Sequence, residues 1–453
     1  MPLDQDQDTI VAISTPPGHG GIGIVRLSGP ASRAIAEPLL KLRNPLAPAQ
    51  ARFAEVLDLT GEILDEAVVT YFAAPHSYTT EDIVEIAAHG SPVLLDHLLR
   101  QCLAAGARLA EPGEFTQRAF LSGRLDLTQA EAVHDLIEAT TLHQARIAAQ
   151  QLGGSLSRQI TPIKQQLIAL IAALEAGIDF AEDDIDTLPT AQIITQIEAI
   201  QAPLTVLEQT FAYGKIVRNG FTLAIVGRPN VGKSSLFNCL VQRDRAIVTA
   251  TPGTTRDLVT ERVSLEGIPV ELIDTAGLRD ATDEAETIGI AKSREAMVEA
   301  DIVLLVLDAT ATLHPEDEAT IAALTSRPLI FAVNKSDLSR SSSLAKQTTH
   351  KTIETSALTG SGLIELRSAI LSCITSAAPT SETALLTNLR QHQTVSTAVA
   401  ALVRAQQATA NAIPHEMILL DLYESLNALD ALTGTTTSDY ILNLIFSKFC
   451  IGK

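Results

Sequence analysis

Gly227-Arg228-Pro229-Asn230-Val231-Gly232-Lys233-Ser234, followed by Ser235, is the stretch whose reading decides the fold. It has the form of a phosphate-binding loop, in which glycines let backbone N–H groups wrap phosphates at the start of a helix. The apolar run Phe221-Thr222-Leu223-Ala224-Ile225-Val226 ahead of it reads as a buried strand, and a helix is expected from about Lys233. Alone, the stretch also fits an ordinary glycine turn between a strand and a helix. Downstream come Gly253-Thr254-Thr255, Asp274-Thr275-Ala276-Gly277, Asn334-Lys335-Ser336-Asp337 and Ser356-Ala357-Leu358, in that order. Chance does not supply such a series at single-domain spacing, so a Ras-like P-loop domain that binds and hydrolyses GTP is expected.

Each motif carries a chemical role. Lys233 is placed to reach the β- and γ-phosphates, and the Ser234 hydroxyl to ligate Mg²⁺. Thr254 and Thr255 lie where a first switch would sense the γ-phosphate and Mg²⁺. The strand Val270-Glu271-Leu272-Ile273 leads to Asp274, expected to hold Mg²⁺ through water, and Gly277 to sense the γ-phosphate through its N–H. Asn334, Lys335 and Asp337 follow an apolar strand at 329–333, and the Asp337 carboxylate can accept two hydrogen bonds from guanine. Adenine lacks those donors, and a site built on paired hydrogen bonds rejects the analogue without them. Asn334 to Asp337 alone would also fit a polar turn.

Position 278 is Leu, where Ras-like proteins carry a water-orienting Gln. Water must therefore be oriented from elsewhere. Glu286 is a candidate, although among Asp280, Asp283 and Glu284 its spacing alone favours a solvated carboxylate. No arginine finger is identifiable. Asn230 is suited to a monovalent cation beside the phosphates, so K⁺-dependent hydrolysis is expected, and equal rates in NaCl and KCl would contradict it.

The chain has 453 residues, enough for two to four domains, with 46% hydrophobic and 19% charged residues. The net charge of -20 argues against indiscriminate nucleic-acid binding through a broad basic surface, and 4% aromatic content with no Trp argues against a base-stacking platform. The longest apolar run, at 167–174, reads as a buried helix face, so no membrane span is expected. The acidic start reads as no secretory signal. Cys102, Cys239, Cys373 and Cys450 have no paired spacing and read as reduced thiols of a cytoplasmic protein.

Three regions follow one another. Short β-type runs (Ile10-Val11-Ala12-Ile13, Ile22-Gly23-Ile24-Val25, Ala67-Val68-Val69-Thr70-Tyr71-Phe72, Ile83-Val84-Glu85-Ile86) mix with a helix near Pro92 to Ala104, which reads as an α/β or α+β domain over 1–123. From Leu127, helical periodicity (Ala132, Val133, Leu136, Ile137) runs to about Phe211 and returns after about Thr387. The expected architecture is α/β multidomain, with a discontinuous all-α helical domain (124–214 and 379–453) and an inserted GTPase domain (215–378). Insertion of this kind needs the ends of the inserted domain to lie close together. The stretch 339–347 reads as an exposed polar loop. The ending Phe446-Ser447-Lys448-Phe449-Cys450-Ile451-Gly452-Lys453 has a helical apolar face before it. Cys450 there reads either as a buried thiol or, given its polar surroundings, as a reactive one.

With these residues in hand, the sequence resembles the MnmE (TrmE) family of tRNA modification GTPases over its whole length. Cys450-Ile451-Gly452-Lys453 matches that family's ending. Thr15-Pro16-Pro17-Gly18, Gly20-Gly21-Ile22-Gly23-Ile24-Val25-Arg26-Leu27-Ser28-Gly29, Pro112-Gly113-Glu114-Phe115-Thr116 and Leu125-Asp126-Leu127-Thr128-Gln129-Ala130-Glu131-Ala132 match it as well. The resemblance implies an N-terminal domain that binds folate and dimerises. It implies a homodimer, a heterotetramer with the FAD-dependent enzyme MnmG, and tRNA as substrate. Together they would install an aminomethyl or carboxymethylaminomethyl group on carbon 5 of the wobble uridine, with 5-formyltetrahydrofolate or a related tetrahydrofolate as one-carbon source.

Position by position, it implies folate contacts at Arg26, Glu85, Arg124 and Lys453. It implies a K⁺ site at Asn230, Thr249, Thr251 and Thr254, with Thr249 also beside the nucleotide, and Mg²⁺ ligands Ser234 and Thr255. K⁺ would order the first switch and let two GTPase domains pair across the dimer. It implies a catalytic role for Glu286, reversing the spacing-only reading, alongside Lys233, Asp274 and Cys450. Thr80 and Ser91 stand where the family usually has Gly, Arg124 where Lys is frequent, and Thr251-Pro252 vary the K⁺ loop. On physics alone, Arg26 and Arg124 suit an anionic glutamate tail or a pterin edge, or are ordinary surface charges. The alternative function is a ribosome-assembly GTPase of the Era or Der kind, which would lack the Cys450–Lys453 ending and usually carries a basic RNA-binding domain.

Overall fold

The computed structural model describes residues 8–58, 60–179, 188–243, 259–274, 300–324, 328–338, 351–374, 384–436 and 438–452. The chain forms two compact units, Met1–His134 with Asp430–Lys453, and Asp135–Leu429.

The first unit is built on a sheet of seven strands in the order β3-β4-β5-β6-β2-β1-β7. The strands are β1 (Ile10–Ile13), β2 (Gly20–Ser28), β3 (Leu40–Leu42), β4 (Gln50–Leu57), β5 (Ile63–Phe72), β6 (Ile83–Gly90) and β7 (Arg108–Leu109). All neighbours are antiparallel except β1 and β7. In β5 the period of two is plain, with Ala67, Val69 and Tyr71 buried and Val68 turned out. The helix Pro92–Ala104 starts on its proline and buries Leu95, Leu98 and Cys102 against β1, β2 and β6. Burial pushes the Cys102 thiol up to about 12, so it acts as a small apolar residue.

The C-terminal helix Asp439–Phe446 belongs to this unit. Phe446 and Phe449 are buried with Leu127, Ala130 and Leu442, and Phe446 meets Phe120 at 6.3 Å between ring centroids. Beyond them the tail bridges back, Ile451 pairing with Pro112 and the Gly113 N–H donating to the Cys450 carbonyl at 3.4 Å. Gly452 has φ +95°, and a Cβ there would lie 2.5 Å from the Ile13 carbonyl oxygen, so both its conformation and its close approach require glycine.

The second unit holds a six-stranded sheet, β13-β12-β11-β8-β10-β9. These are β8 (Phe221–Val226), β9 (Val259–Leu265), β10 (Ile268–Asp274), β11 (Ile302–Asp308), β12 (Leu329–Asn334) and β13 (Lys351–Glu354), parallel except for β9. Apolar residues fill both faces: Leu223 and Ile225 pack with Leu236 and Ile370, while Ala224 and Val226 pack with Leu305 and Phe331. Near-continuous apolar strands are what a doubly covered parallel sheet needs.

The helical part of this unit joins the two flanks of the sheet domain. Ile193, Ile197, Ile200 and Leu204 on helix Thr190–Gln209 lie in the same pair as Val395, Ala398 and Leu402 on helix Leu389–Ala410. The returning chain is hydrogen-bonded into the bundle: Leu386 N–H donates to Thr210 Oγ1 at 3.1 Å, and Gln151 Nε2 to the Leu385 carbonyl at 2.8 Å. Helicity extends past Phe211 as the helix Phe211–Asn219, which runs through residue 215 into β8. The sheet domain also touches a helix cap. Thr141 caps helix Leu142–Leu152 with Gln144 in a capping box, and its hydroxyl donates to the Gly267 carbonyl in the β9–β10 turn at 2.6 Å. The polar stretch 339–347 lies outside the described residues.

Candidate functional site

In the second unit the phosphate loop leaves the carboxyl end of β8, where ligand sites of open α/β sheets form. Gly227 has φ +143°, and a Cβ on it would sit 2.4 Å from the Val306 carbonyl oxygen on β11. Asn230 takes φ +62°, a conformation short polar side chains tolerate. Val231 and Lys233 are buried, while Asn230, Ser234 and Ser235 are exposed at the start of helix Lys233–Arg243. The Lys233 ammonium donates to the Arg228 carbonyl at 2.9 Å, folding back over its own loop.

The guanine-type motifs close around this loop. Buried Asn334 donates from Nδ2 to the Val231 carbonyl at 2.9 Å and accepts the Ala357 N–H on Oδ1 at 3.0 Å. One amide thus ties the phosphate loop, the Asn334–Asp337 loop and the Ser356–Leu358 loop together. Ser356 donates to Asp337 Oδ1 at 2.6 Å, orienting an exposed carboxylate, and Cys239 donates to the Ala357 carbonyl at 3.2 Å. Leu358 is 87% exposed, open to a planar ligand. Lys335, at φ +64°, pairs with Asp308 Oδ2 at 2.6 Å. Burial pushes the Asp308 carboxyl up, but the Lys335 and Thr310 hydrogen bonds outweigh it and hold the group below its ordinary range.

β10 ends at Asp274, at the same end of the sheet as the phosphate loop. Thr249, Thr251, Thr254, Thr255, Thr275, Ala276, Gly277, Leu278 and Glu286 lie outside the described residues, as does Lys453.

The first unit holds a separate cluster. Arg26 on β2 faces Glu85 on β6 in cross-strand register, with Nη2 at 2.8 Å from Oε1. Its guanidinium stacks 5.6 Å from the Phe115 ring centroid, and Nη1 makes a long 3.5 Å hydrogen bond to the Gly452 carbonyl. The C-terminal tail therefore lies beside the Arg26–Glu85 pair, and Cys450 is exposed rather than buried. Arg124 is a short way along the same unit, donating to the Tyr78 carbonyl at 2.6 Å with its charge 5.0 Å from the Tyr78 ring centroid. It lines a cleft of about 590 Å³ with Tyr78, Thr80, His76 and Ser122. Thr80 sits at φ +67°, a strained conformation for a β-branched residue.

Under this region runs an ionic network that the sequence reading did not anticipate. Arg118, 6% exposed, binds Asp8, Glu81 and Glu114 at 2.6, 3.0 and 3.0 Å, and Arg108 binds Glu114. Burial pushes Glu114 up, but hydrogen bonds from Arg108, the Glu111 N–H and Arg118 bring it below its ordinary value. Pro112-Gly113-Glu114-Phe115 was legible only as a motif; its use, a buried carboxylate and a ring under Arg26, needed the fold. Asp308 and Asp317 were likewise missed, although a carboxylate ending the apolar run of β11 was a readable signal.

A family model described as the MnmE helical domain matches residues 127–450, and one described as the GTP-binding protein TrmE N-terminus matches residues 9–124. The tRNA modification GTPase MnmE of Koribacter versatilis (strain Ellin345) is 59% identical over 451 residues, with 98% of this chain and 99% of that protein covered. The protein of the same description from Aquifex aeolicus (strain VF5) is 43% identical over 448 residues, covering 99% and 100%. That from Levilactobacillus brevis is 42% identical over 456 residues, covering 98% of each. Full-length likeness at these identities, on a fold with an N-terminal α/β unit, a discontinuous helical part and a P-loop sheet, assigns the chain to the MnmE family of tRNA modification GTPases.

Proposed function

We propose that this chain is a K⁺-dependent GTPase that modifies carbon 5 of the tRNA wobble uridine together with an MnmG-type FAD-dependent partner. It acts as a homodimer within a heterotetramer in the cytoplasm, and the group added is aminomethyl or carboxymethylaminomethyl. The one-carbon unit comes from 5-formyltetrahydrofolate or a related tetrahydrofolate. Residues 1–123 bind folate and dimerise, 124–214 and 379–453 supply the helical domain, with its end from Asp430 packed in the first unit, and 215–378 form the GTPase domain.

In the GTPase domain, residues 230–235, Asp274 and residues 275–277 surround the phosphates. Asn334, Lys335, Asp337 and residues 356–358 hold the guanine. Ser234 and Thr255 hold Mg²⁺, which supplies charge neutralisation at the phosphates. Asn230, Thr249, Thr251 and Thr254 hold K⁺, and Glu286 orients the attacking water. The residue chemistry fits: Ser234 offers an exposed hydroxyl, a hard ligand suited to Mg²⁺, at the start of helix Lys233–Arg243.

The folate reading is carried by one observation, the approach of the Gly452 carbonyl to Arg26 beside Glu85. That cluster offers a cation, a carboxylate and a carbonyl to a pterin edge or a glutamate tail. Arg124 extends it, and Lys453 adds a cation one residue beyond Gly452. Exposed Cys450 is the candidate nucleophile.

The test is mass spectrometry of tRNA nucleosides from cells lacking the protein. Loss of the carbon-5 group, restored by wild type and not by Asp274→Ala, is expected. Unchanged wobble nucleosides in cells without a second copy would overturn the proposal and favour the ribosome-assembly reading.

A further inference from the structure

Strand β11 lies between β8 and β12. The phosphate loop leaves β8 and the Asn334–Asp337 loop leaves β12, so the chain leaving β11 runs between the two ends of the nucleotide site. That chain carries two carboxylates, and each grips one end. Asp308 closes β11 and divides its oxygens: Oδ1 accepts from the Thr310 N–H and hydroxyl at 2.9 and 2.6 Å, and Oδ2 accepts from Lys335 at 2.6 Å. Asp317, 2% exposed in helix Pro315–Ala323, accepts from Arg228 Nε at 2.9 Å and from the His314 N–H at 3.2 Å. Its neighbours Glu316 and Glu318 are exposed. A helix cap needs no charged group driven into the interior, and a buried carboxylate persists only where a partner compensates it. The partner here is a side chain of the phosphate loop.

The consequence reaches the phosphates. The Arg228 carbonyl holds the Lys233 ammonium at 2.9 Å, so Asp317, Arg228 and Lys233 form one chain of contacts. An Arg228 released from Asp317 would turn a flexible cation loose beside the phosphates and free the loop backbone that receives Lys233. Gly227 is already pressed against Val306 on β11, which gives the loop a second fixed point on the same stretch of chain, 306–317. We infer that Asp308 and Asp317 are positioning residues that set the two ends of the nucleotide site from a single segment, Asp308 acting through Lys335 on the base and Asp317 acting through Arg228 on the phosphates. Neither touches the nucleotide.

This rests on reading residues 227–235 and 334–337 as the nucleotide site, so the experiment carries a control for that reading. Affinities of the full-length protein for GDP, GMP and IDP are measured by competition against a fluorescent GDP. Asp317→Asn is expected to weaken GDP by about tenfold and to lower the GDP/GMP ratio, because the harm grows with the number of phosphates, while the GDP/IDP ratio stays unchanged. Asp308→Asn is expected to lower the GDP/IDP ratio with the GDP/GMP ratio unchanged, and to raise KM for GTP without changing kcat, since it weakens ground and transition states alike. If Asp317→Asn does not fold, Arg228→Gln removes the half-exposed partner and is expected to give the same phosphate-selective loss. Equal losses for all three nucleotides, or none, would overturn the inference and leave two ordinary ion pairs. Lys233→Ala binding GDP as tightly as wild type would instead overturn the site itself.

Discussion

The nucleotide site of the second unit and the Arg26 cluster of the first are assembled in opposite ways. The first is made from short runs at the carboxyl ends of neighbouring parallel strands, so each motif carries its own turn, donors and spacing. The second joins a residue of β2, a residue of β6 and a carbonyl 426 residues away. No local pattern encodes that meeting; strand register and the docking of Phe446 and Phe449 produce it. The difference teaches that a site built from loops carries most of its geometry locally, whereas one built from register and a docked tail fails when any of its distant supports is changed.

The largest effect should come from the local site. Lys233→Ala removes the phosphate-loop ammonium and is expected to lower GTP hydrolysis by about 10²- to 10³-fold, the loss typical of one preorganised charge-stabilising donor. Phosphate release at saturating GTP checks it, and the same variant should leave folate binding unchanged. Gly452→Ala is the matching change in the composite site. Its Cβ would meet the Ile13 carbonyl, and its φ is unfavourable for alanine, so the tail should lift from Arg26. Folate affinity, followed by titration with 5-formyltetrahydrofolate, is expected to fall by about tenfold, equivalent to ~1.4 kcal/mol, with GTP hydrolysis intact. Unchanged folate affinity would remove the tail from the site.

A pH experiment sharpens the comparison further. Glu114 is held below its ordinary value of 4.5 in the folded chain, so its stabilising contribution is present above about pH 4.5 and is lost as pH falls through its folded value. Asp8, lowered by Arg108 and Arg118 against the opposing effect of burial, acts in the same sense. Wild type should melt above Glu114→Gln at neutral pH, and the gap should narrow as pH falls below about 4.5. A gap constant over that range would show that the network adds no charge-dependent stability. The smallest change expected is Thr80→Gly. Relief of the left-handed strain, less the extra freedom glycine gives the unfolded chain, should stabilise the first unit by roughly 0.5–1 kcal/mol, read as a small rise in Tm.

Much of this molecule was legible beforehand. Phe221–Val226, Lys233 as a helix start, the strands ending at Asp274 and Asn334, and the helix Pro92–Ala104 all appear where apolar runs and turn residues put them. At Thr80 the backbone takes a conformation natural to glycine, so the Thr there carries a strain that a glycine would not. Less legible were Phe115 under Arg26, Arg118 amid three carboxylates, and Asp317 gripping Arg228, because a charged residue on a helix face reads as solvated until its neighbour is known. Cys450 was open between a buried and a reactive thiol, and only the docking of the tail left it exposed.

By itself the sequence determined the elements whose chemistry is local: the phosphate loop, the guanine-type loops, the alternation of strands and helices, and the family to which they point. The tertiary structure alone decided which distant residues meet: Arg26 with Glu85 and Gly452, Asn334 with Val231 and Ala357, Asp308 and Asp317 with the two ends of the nucleotide site. The reason is physical. Backbone turns and helix starts are set by residues within a few positions of one another, whereas side-chain partners across a sheet are set by register and packing, which depend on the whole chain at once.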